Sequence, residues 1–311
     1  MDKMFFRACG LQNPIVYNIR NYTGNKILHR ILEYLCIPSG IVKYFWPHHS
    51  ESWKKDIAVV AIAKNEGPYL EEWVDFYLKQ GIDNVIIYDN ESDDNTKEIL
   101  GKFIASGKVI YHTISGKQRQ YDAYHKAIKT YKNVYKYLAF LDCDEFLFYK
   151  EGRIIDFVEK AFQSGVNVGG IAINWLVFGS SGFEKKPDGK VVDNYLYRAY
   201  DEFEANHIIK TVCNPRRVLG FSDPHRPYYK KGFLNIDEDF EPVNGAETRN
   251  VKYKKVRINH YFTKSKEEYI NKKNRGRADI SQIRGMDDFI KHDRNDVKDV
   301  EIIEFIKNFE N

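Results

Sequence analysis

The sequence predicts an α/β protein, an open mixed sheet flanked by helices, with a helical extension at each end. From Ile57 onward, short runs rich in β-branched residues alternate with amphipathic stretches of helix length, the pattern of βαβ units. The polar loops after the first, second and fourth of these runs would meet at one edge, because open α/β sheets bind ligands beyond the carboxyl ends of their strands. One apolar run, Tyr137 to Leu141, also stops abruptly in Asp142-Cys143-Asp144-Glu145.

Residues 1–56 read as an N-terminal extension: a helix from Lys26 to Cys36, a break at Pro38-Ser39-Gly40, and an aromatic stretch from Tyr44 to Trp46. A central domain follows over residues 57–280, and a helical tail over 281–311. The domain opens with a strand at Ile57 to Ala63. Leu70, Trp73, Val74, Tyr77 and Leu78 then share one helical face between Tyr69 and Gln80, and Gly81 stops that helix. Asn84 to Tyr88 is the second strand. The polar run Asp89 to Thr96 starts a helix carrying Ile99, Leu100 and Phe103, and Ser106-Gly107 separates it from a third strand at Val109 to His112. A helix from Arg119 to Lys132 leads into the fourth strand, Lys136 to Leu141. Beyond Asp144 the pattern gives a helix at Arg153 to Phe162, a strand at Val168 to Ile173, loops through Asp239, and helices at Lys266 to Asn274 and Val300 to Phe309.

With 43% apolar and 30% charged residues in 311, the composition is that of a globular protein. The longest apolar runs are strand-sized, far short of the roughly 20 residues of a membrane helix. Met1 to Gly10 carries no export signal, so a cytoplasmic location is expected; peripheral membrane contact through residues 1–56 or Val300 to Phe309 stays open. Cys9, Cys36, Cys143 and Cys213 are scattered, with no Cys-x-x-Cys spacing, and read as reduced thiols. Cations concentrate at Lys252 to Lys255, Lys272, Lys273, Arg275 and Arg277, as a solvated basic face or an anion site. No nucleic-acid partner is expected, since a diphosphate site explains these cations with fewer assumptions.

Clustered carboxylates repel one another unless a cation compensates, so Asp142 and Asp144 at a strand end are candidate ligands for Mn²⁺ or Mg²⁺. They point to opposite sides of an extended chain, so both can serve one site only if the chain turns at Cys143. Glu145 either caps a following helix or orients a ligand. The plain alternative for the group is acidic loop residues in solvent. Asp93 to Thr96 reads as turn and helix cap, whereas Asp89 at the strand tip is a candidate contact to a nucleobase or ribose. Ala63-Lys64-Asn65-Glu66-Gly67 brings small residues, a cation and a carboxylate to the same edge.

In order and spacing these segments resemble the nucleotide-sugar half of GT-A glycosyltransferases. Ala63 to Glu66 is similar to the first-strand nucleotide loop, Asp89 to Thr96 to the acidic turn, and Asp142 to Asp144 to the metal-binding Asp-x-Asp. More narrowly, Glu66 to Trp73, Leu138 to Phe146 and Trp175 to Gly182 resemble glycosyltransferase family 92 and its family 2-like relatives, over about residues 57–280. The resemblance implies a GT-A (Rossmann-like) fold and a metal-dependent, inverting hexosyltransferase of polysaccharide biosynthesis. Its donor would be a UDP-sugar, often galactose, and its acceptor a glycan or lipid-linked glycan. It further implies that Gln120 faces the donor, that Trp175 to Gly182 shapes the acceptor side, that His260 reaches the metal, and that Lys264, Arg275 or Arg277 neutralises diphosphate.

Inversion needs a base for the acceptor hydroxyl. Asp223 and Glu184 are the candidates, Asp223 preferred; His225 is a second ligand or an acceptor contact. Two rival readings stand beside transfer. A nucleotidyltransferase would be expected to carry a Gly-rich phosphate loop, but Ala61 to Gly67 offers one glycine; an idle scaffold of the same fold would have no need of the carboxylates.

Overall fold

The computed structural model describes residues 25–45, 52–165, 167–276 and 285–310. Expectations for Met1 to Gly10, Cys9, Trp46 and Arg277 lie outside the described residues. In chain order the elements are α1 (Lys26–Leu35), α2 (Ile37–Phe45), β1 (Lys55–Ala63), α3 (Gly67–Lys79), β2 (Asn84–Asp89), α4 (Thr96–Ala105), β3 (Val109–Thr113), α5 (Gln120–Tyr131) and β4 (Tyr135–Phe140). Then come β5 (Glu145–Tyr149), α6 (Ile154–Phe162), β6 (Val168–Val177), the short α7 (Val191–Asn194), β7 (Tyr197–Arg198), β8 (Ile209–Cys213), β9 (Val218–Phe221) and β10 (Pro227–Tyr229). The chain closes with β11 (Leu234–Ile236), β12 (Pro242–Val243), β13 (Val256–His260), α8 (Lys266–Arg275), α9 (Met286–His292), β14 (Val297–Lys298) and α10 (Glu301–Glu310).

The main sheet runs β12-β11-β6-β8-β4-β1-β2-β3, with β13 joining β6 to β5. Strands β4, β1, β2 and β3 are parallel, so Asp142, Ala63, Asp89 and Thr113 come to one edge. Strand β8 runs antiparallel to β4 and to β6, which makes the sheet mixed, as expected, and brings the start of β8 to that same edge.

Helices cover both faces, which is why β1 is apolar at nearly every position rather than at every second one. Ile57, Val59 and Ala61 pack with Leu70, Trp73 and Tyr77 of α3, while Ala58 and Val60 pack with Ala123, Tyr124 and Ala127 of α5. The predicted elements from β1 to β4 appear within about two residues of their expected ends.

Two readings need correction. Pro38-Ser39-Gly40 does not break the helical extension; α2 runs through it. Pro38 is the second residue of α2, where the missing N–H is one the helix would leave unbonded anyway. The stretch through Asp239, expected as loops, contains β7 to β11, strands of two to five residues, too short to show a period.

Residues of the C-terminal segment lock onto the central sheet. Asp299 bonds Arg257 of β13 at 2.6 and 3.0 Å and Arg198 of β7 at 2.7 Å, and all three are buried. Phe305 of α10 packs on Phe76 and Phe148. Gly179 owes its place to this docking. A Cβ there would lie 2.3 Å from the Arg294 carbonyl, so its close approach is to its own chain.

Burial works against the charge of Asp299, yet Arg257 and then Arg198 pull its carboxyl down to about 2. That is below the ordinary value of about 3.9, so its contribution is complete above that value and disappears as the pH falls from about 4 to about 2. We expect Asp299→Asn to cost about 3 kcal/mol in urea unfolding at neutral pH, with the gap to wild type closing towards pH 2. Equal stabilities at neutral pH would show that this ion pair does not anchor the segment.

Candidate functional site

The chain turns immediately after β4. Leu141 still bonds β1 through the Val60 carbonyl, and Glu145 N–H donates to the Asp142 carbonyl at 3.1 Å, closing the turn through Cys143. A turn here is what a shared site for both aspartates would need, yet the two carboxylates have different partners, Lys210 and Lys272. Glu145 caps no helix: it opens β5, is fully buried, and its carboxylate accepts the Asp142 N–H at 3.1 Å.

Asp142 is one-third exposed. Its Oδ1 accepts from Gln120 Nε2 at 2.9 Å and its Oδ2 from Lys210 Nζ at 2.8 Å. The same ammonium lies 3.5 Å from Glu145 Oε1. Burial disfavours the charge on Lys210, but Asp142 and Glu145 hold its pKa well above the usual lysine value. Glu145 is pushed well above the carboxylate range by burial, against the pull of Lys210. Lys210 went unrecognised in the sequence; the available signal was a lone cation inside the apolar run Ile208 to Cys213.

Asp144 turns to the other side, where Lys272 Nζ of α8 donates to its Oδ2 at 2.5 Å and to the Phe262 carbonyl at 2.9 Å. Burial would raise the Asp144 carboxyl, but Lys272, ahead of His260 and Lys264, holds it well below the usual range. His260 at the end of β13 places Nε2 3.6 Å from Asp144 Oδ1. Burial lowers its pKa, against the pull of that carboxylate. Its ring lies 4.2 Å from Trp175, which in turn lies 5.1 Å from His225. His260 Nδ1 and Trp175 Nε1 are buried without a hydrogen-bond partner among the described residues. Buried polar atoms of this kind are costly unless something bonds them.

The first-strand loop and the acidic turn are clasped together. Asn65 N–H donates to Ser92 Oγ at 2.9 Å, Asn65 and Asp93 exchange two bonds, and Gly67 N–H donates to Asp94 at 3.0 Å. Asp94 also accepts the Thr96 N–H, while Asn95, the N-cap of α4, makes no side-chain cap bond. Asp89 is buried and its carboxylate is engaged by Tyr111 and by Ser92 N–H. Arg275 reaches back from α8 to the carbonyls of Lys64 and Asn65, each at 2.9 Å, and to the Glu66 carboxylate. Ala63 is buried and bonds Asn90 N–H through its carbonyl, while the Lys64 side chain is half-buried.

Between this loop and α8 lies a cavity of about 390 Å³, lined among others by Glu66, Tyr69, Lys264, Lys272 and Arg275. Lys264 is buried with its ammonium 3.9 Å above the Tyr69 ring, and its φ of 50° is unusual for a residue with a side chain. It directly precedes the Ser265–Glu268 capping box that starts α8. Lys264, Lys272 and Arg275 thus line one cavity together with the acids Glu66, Asp94 and Glu268, and Lys272 links it to Asp144.

The two candidate bases are placed differently. Asp223 sits in the β9–β10 turn, where its carboxylate accepts His225 N–H at 2.7 Å; His225 in turn is pushed down to about 4 by burial and Lys210. Glu184 is three-quarters exposed and paired with Lys266 at 3.1 Å. The described residues contain no group of three or more His, Cys, Asp or Glu side chains arranged to hold a metal ion, and so Asp142, Asp144 and His260 do not form such a group.

A family model described as glycosyltransferase family 92 matches residues 63–291. A family 92 protein of Ricinus communis is 26% identical over 235 residues, 74% of this chain and 41% of that protein. One from Oryza sativa subsp. japonica is 23% identical over 220 residues, 69% of this chain and 35% of the relative. The chain thus spans well under half the length of these curated relatives. Among solved structures, S. aureus TarS overlays 51% of this chain and 47% of its own at 11% identity and a TM-score of 0.34. Glucosyl-3-phosphoglycerate synthase from Mycobacterium tuberculosis, in complex with Mn²⁺ and UDP, overlays 42% of this chain and 50% of its own at 18% identity and a TM-score of 0.28.

Removing one partner of a buried ion pair leaves the other uncompensated. We expect Lys210→Met to cost about 3–5 kcal/mol in denaturant unfolding, and Lys210→Met with Asp142→Asn to recover part of it. Strict additivity of the two changes would show that Asp142 and Lys210 do not act as a pair.

Proposed function

The chain belongs to glycosyltransferase family 92, and from that premise we propose that it transfers a hexose from a nucleoside-diphosphate donor, UDP-sugar favoured, to a glycan or lipid-linked glycan in polysaccharide biosynthesis. The observation that carries this reading is that Asp144, in the turn after β4, bonds Lys272, which together with Lys264 and Arg275 lines a cavity beside the first-strand loop. Such cations stabilise the negative charge that grows on a departing diphosphate.

Asp142, Asp144 and His260 offer donors of the kind a hard divalent cation takes, two carboxylates and an imidazole with a buried unpartnered nitrogen, though among the described residues they are not gathered into one metal-holding group. Asp142, Asp144 and His260 would hold Mn²⁺ or Mg²⁺, which when bound supplies Lewis-acid stabilisation of the diphosphate. The residues of the chain do the rest in this proposal. Gln120 and Lys210 fix Asp142, and Lys272 fixes Asp144. The first-strand loop from Ala63 to Glu66 and Asp89 receive the nucleoside, and Lys264 and Arg275 take charge on the phosphates.

The acceptor oxygen attacks the anomeric carbon as the carbon–oxygen bond to diphosphate breaks, with inversion, and the hydroxyl proton passes to a carboxylate. Asp223 is favoured for that role. It shares a turn with His225, which packs against Trp175 beside His260, whereas Glu184 is exposed and already paired. We expect Asp223→Asn to lower turnover by about 10²–10⁴-fold and Glu184→Gln to leave it nearly unchanged. The reverse order would move the base to Glu184.

A ligand that binds only the native state raises its stability by about 2.7 kcal/mol at a hundredfold excess over Kd. Thermal-shift titration with UDP, GDP, CDP and dTDP, with and without Mn²⁺, should give a metal-dependent rise for one nucleotide that Asp144→Ala abolishes. No rise with any of them would support an inactive scaffold of the same fold.

A further inference from the structure

Helix α1 shows its apolar residues to solvent. Ile27, Ile31, Tyr34 and Leu35 recur at the spacing of one helical face and are 50–72% exposed. On the next helix, α2, Val42 and Phe45 are likewise 55% and 59% exposed. Isolated exposed apolar side chains are ordinary, but six on two consecutive helices form a patch. Each helix has 9 or 10 residues, about 15 Å of length, and no helix among the described residues is long and apolar enough to cross a bilayer.

The rim of this patch is basic. Lys26, Arg30 and Lys43 lie on the helices themselves and are exposed, and the sequence from Asn25 to Phe45 holds one acid against these three cations. Lys231 supplies a further cation, its ammonium 5.0 Å from the Phe45 ring, and its N–H bonds the Tyr44 carbonyl at 3.1 Å. Lys132 and Lys230 lie close enough that burial, Lys132 and Lys43 together lower the pKa of Lys230. The Lys231–Tyr44 bond also fixes α2 to the β9–β10 hairpin, so the patch has a defined orientation on the domain.

We propose that the exposed face of α1 and α2 is a docking surface for an anionic lipid bilayer. Short helices with apolar side chains on one face and lysines and arginines around them lie in the interface, where burial of the former and attraction of the latter add together. A second copy of the chain is the poorer occupant, because a two-fold contact through this face would set its basic rims against each other. The surface lies behind the candidate site. Strand β8 runs away from Asp142, so Val218 and Lys231 of the hairpin that carries α2 come towards the opposite edge of the sheet. A docked chain would open its cavity away from the bilayer. This inference does not rest on the transferase reading.

The test is co-sedimentation of the full chain with phosphatidylglycerol-containing vesicles and with pure phosphatidylcholine vesicles, at low and high salt. We expect binding to the anionic vesicles that falls with salt and is weak on the neutral ones. Lys43→Glu with Lys231→Glu should weaken it at least about tenfold, and Ile31→Ser with Leu35→Ser by a similar factor. All four side chains are exposed, so melting temperatures should match wild type. Absence of binding to anionic vesicles, or binding that neither pair of substitutions reduces, would overturn the proposal. So would a dimer in light scattering that Ile31→Ser with Leu35→Ser dissociates.

Discussion

Three carboxylates at the end of a buried strand must be compensated, and much of the site's architecture follows from how that is done. Asp142, Asp144 and Glu145 come within one tight turn of each other at the carboxyl end of β4. Lys210 from β8 answers Asp142 and Glu145; Lys272 from α8 answers Asp144. Neither cation is near the acids in sequence, so the turn is stable only when the antiparallel strand and the late helix are both docked. A local acidic motif is thereby tied to the long-range topology of the chain.

The second consequence concerns α8. This helix carries Lys272 to Asp144 and Arg275 to the first-strand loop. Two of the cavity's cations, Lys272 and Arg275, are thus spaced by one helix, while Lys264 sits just ahead of its N-cap. The sheet edge supplies the opposite wall. Its loop and acidic turn are joined by side-chain bonds between Asn65, Ser92, Asp93 and Asp94, which keeps the wall in place without a ligand.

Legibility of the sequence followed the strength of local signals. Strands β1 to β4 and the helices between them were readable because period and punctuation agree there: Gly81, Ser106-Gly107 and the polar run from Asp89 each mark an end. The turn at Cys143 follows the abrupt switch from apolar strand to Asp142-Cys143-Asp144. The short strands β7 to β12 left no periodic trace, and Pro38 was misread because proline at a helix start and proline at a break look alike in sequence.

By itself the sequence determined the α/β class, the edge at which polar loops gather, the acidic strand end and the resemblance to family 92, since each depends on residues adjacent in the chain. The tertiary structure alone decided that Lys210 is a counter-ion and not a strand defect, that Asp144 is paired with Lys272, that Gly179 admits its own C-terminal segment, and that the described residues leave the apolar face of α1 exposed. Each of these is a relation between residues tens to more than a hundred positions apart, or between a surface and whatever lies against it. Burial and Coulomb energy depend on distance in space, which a linear pattern does not record.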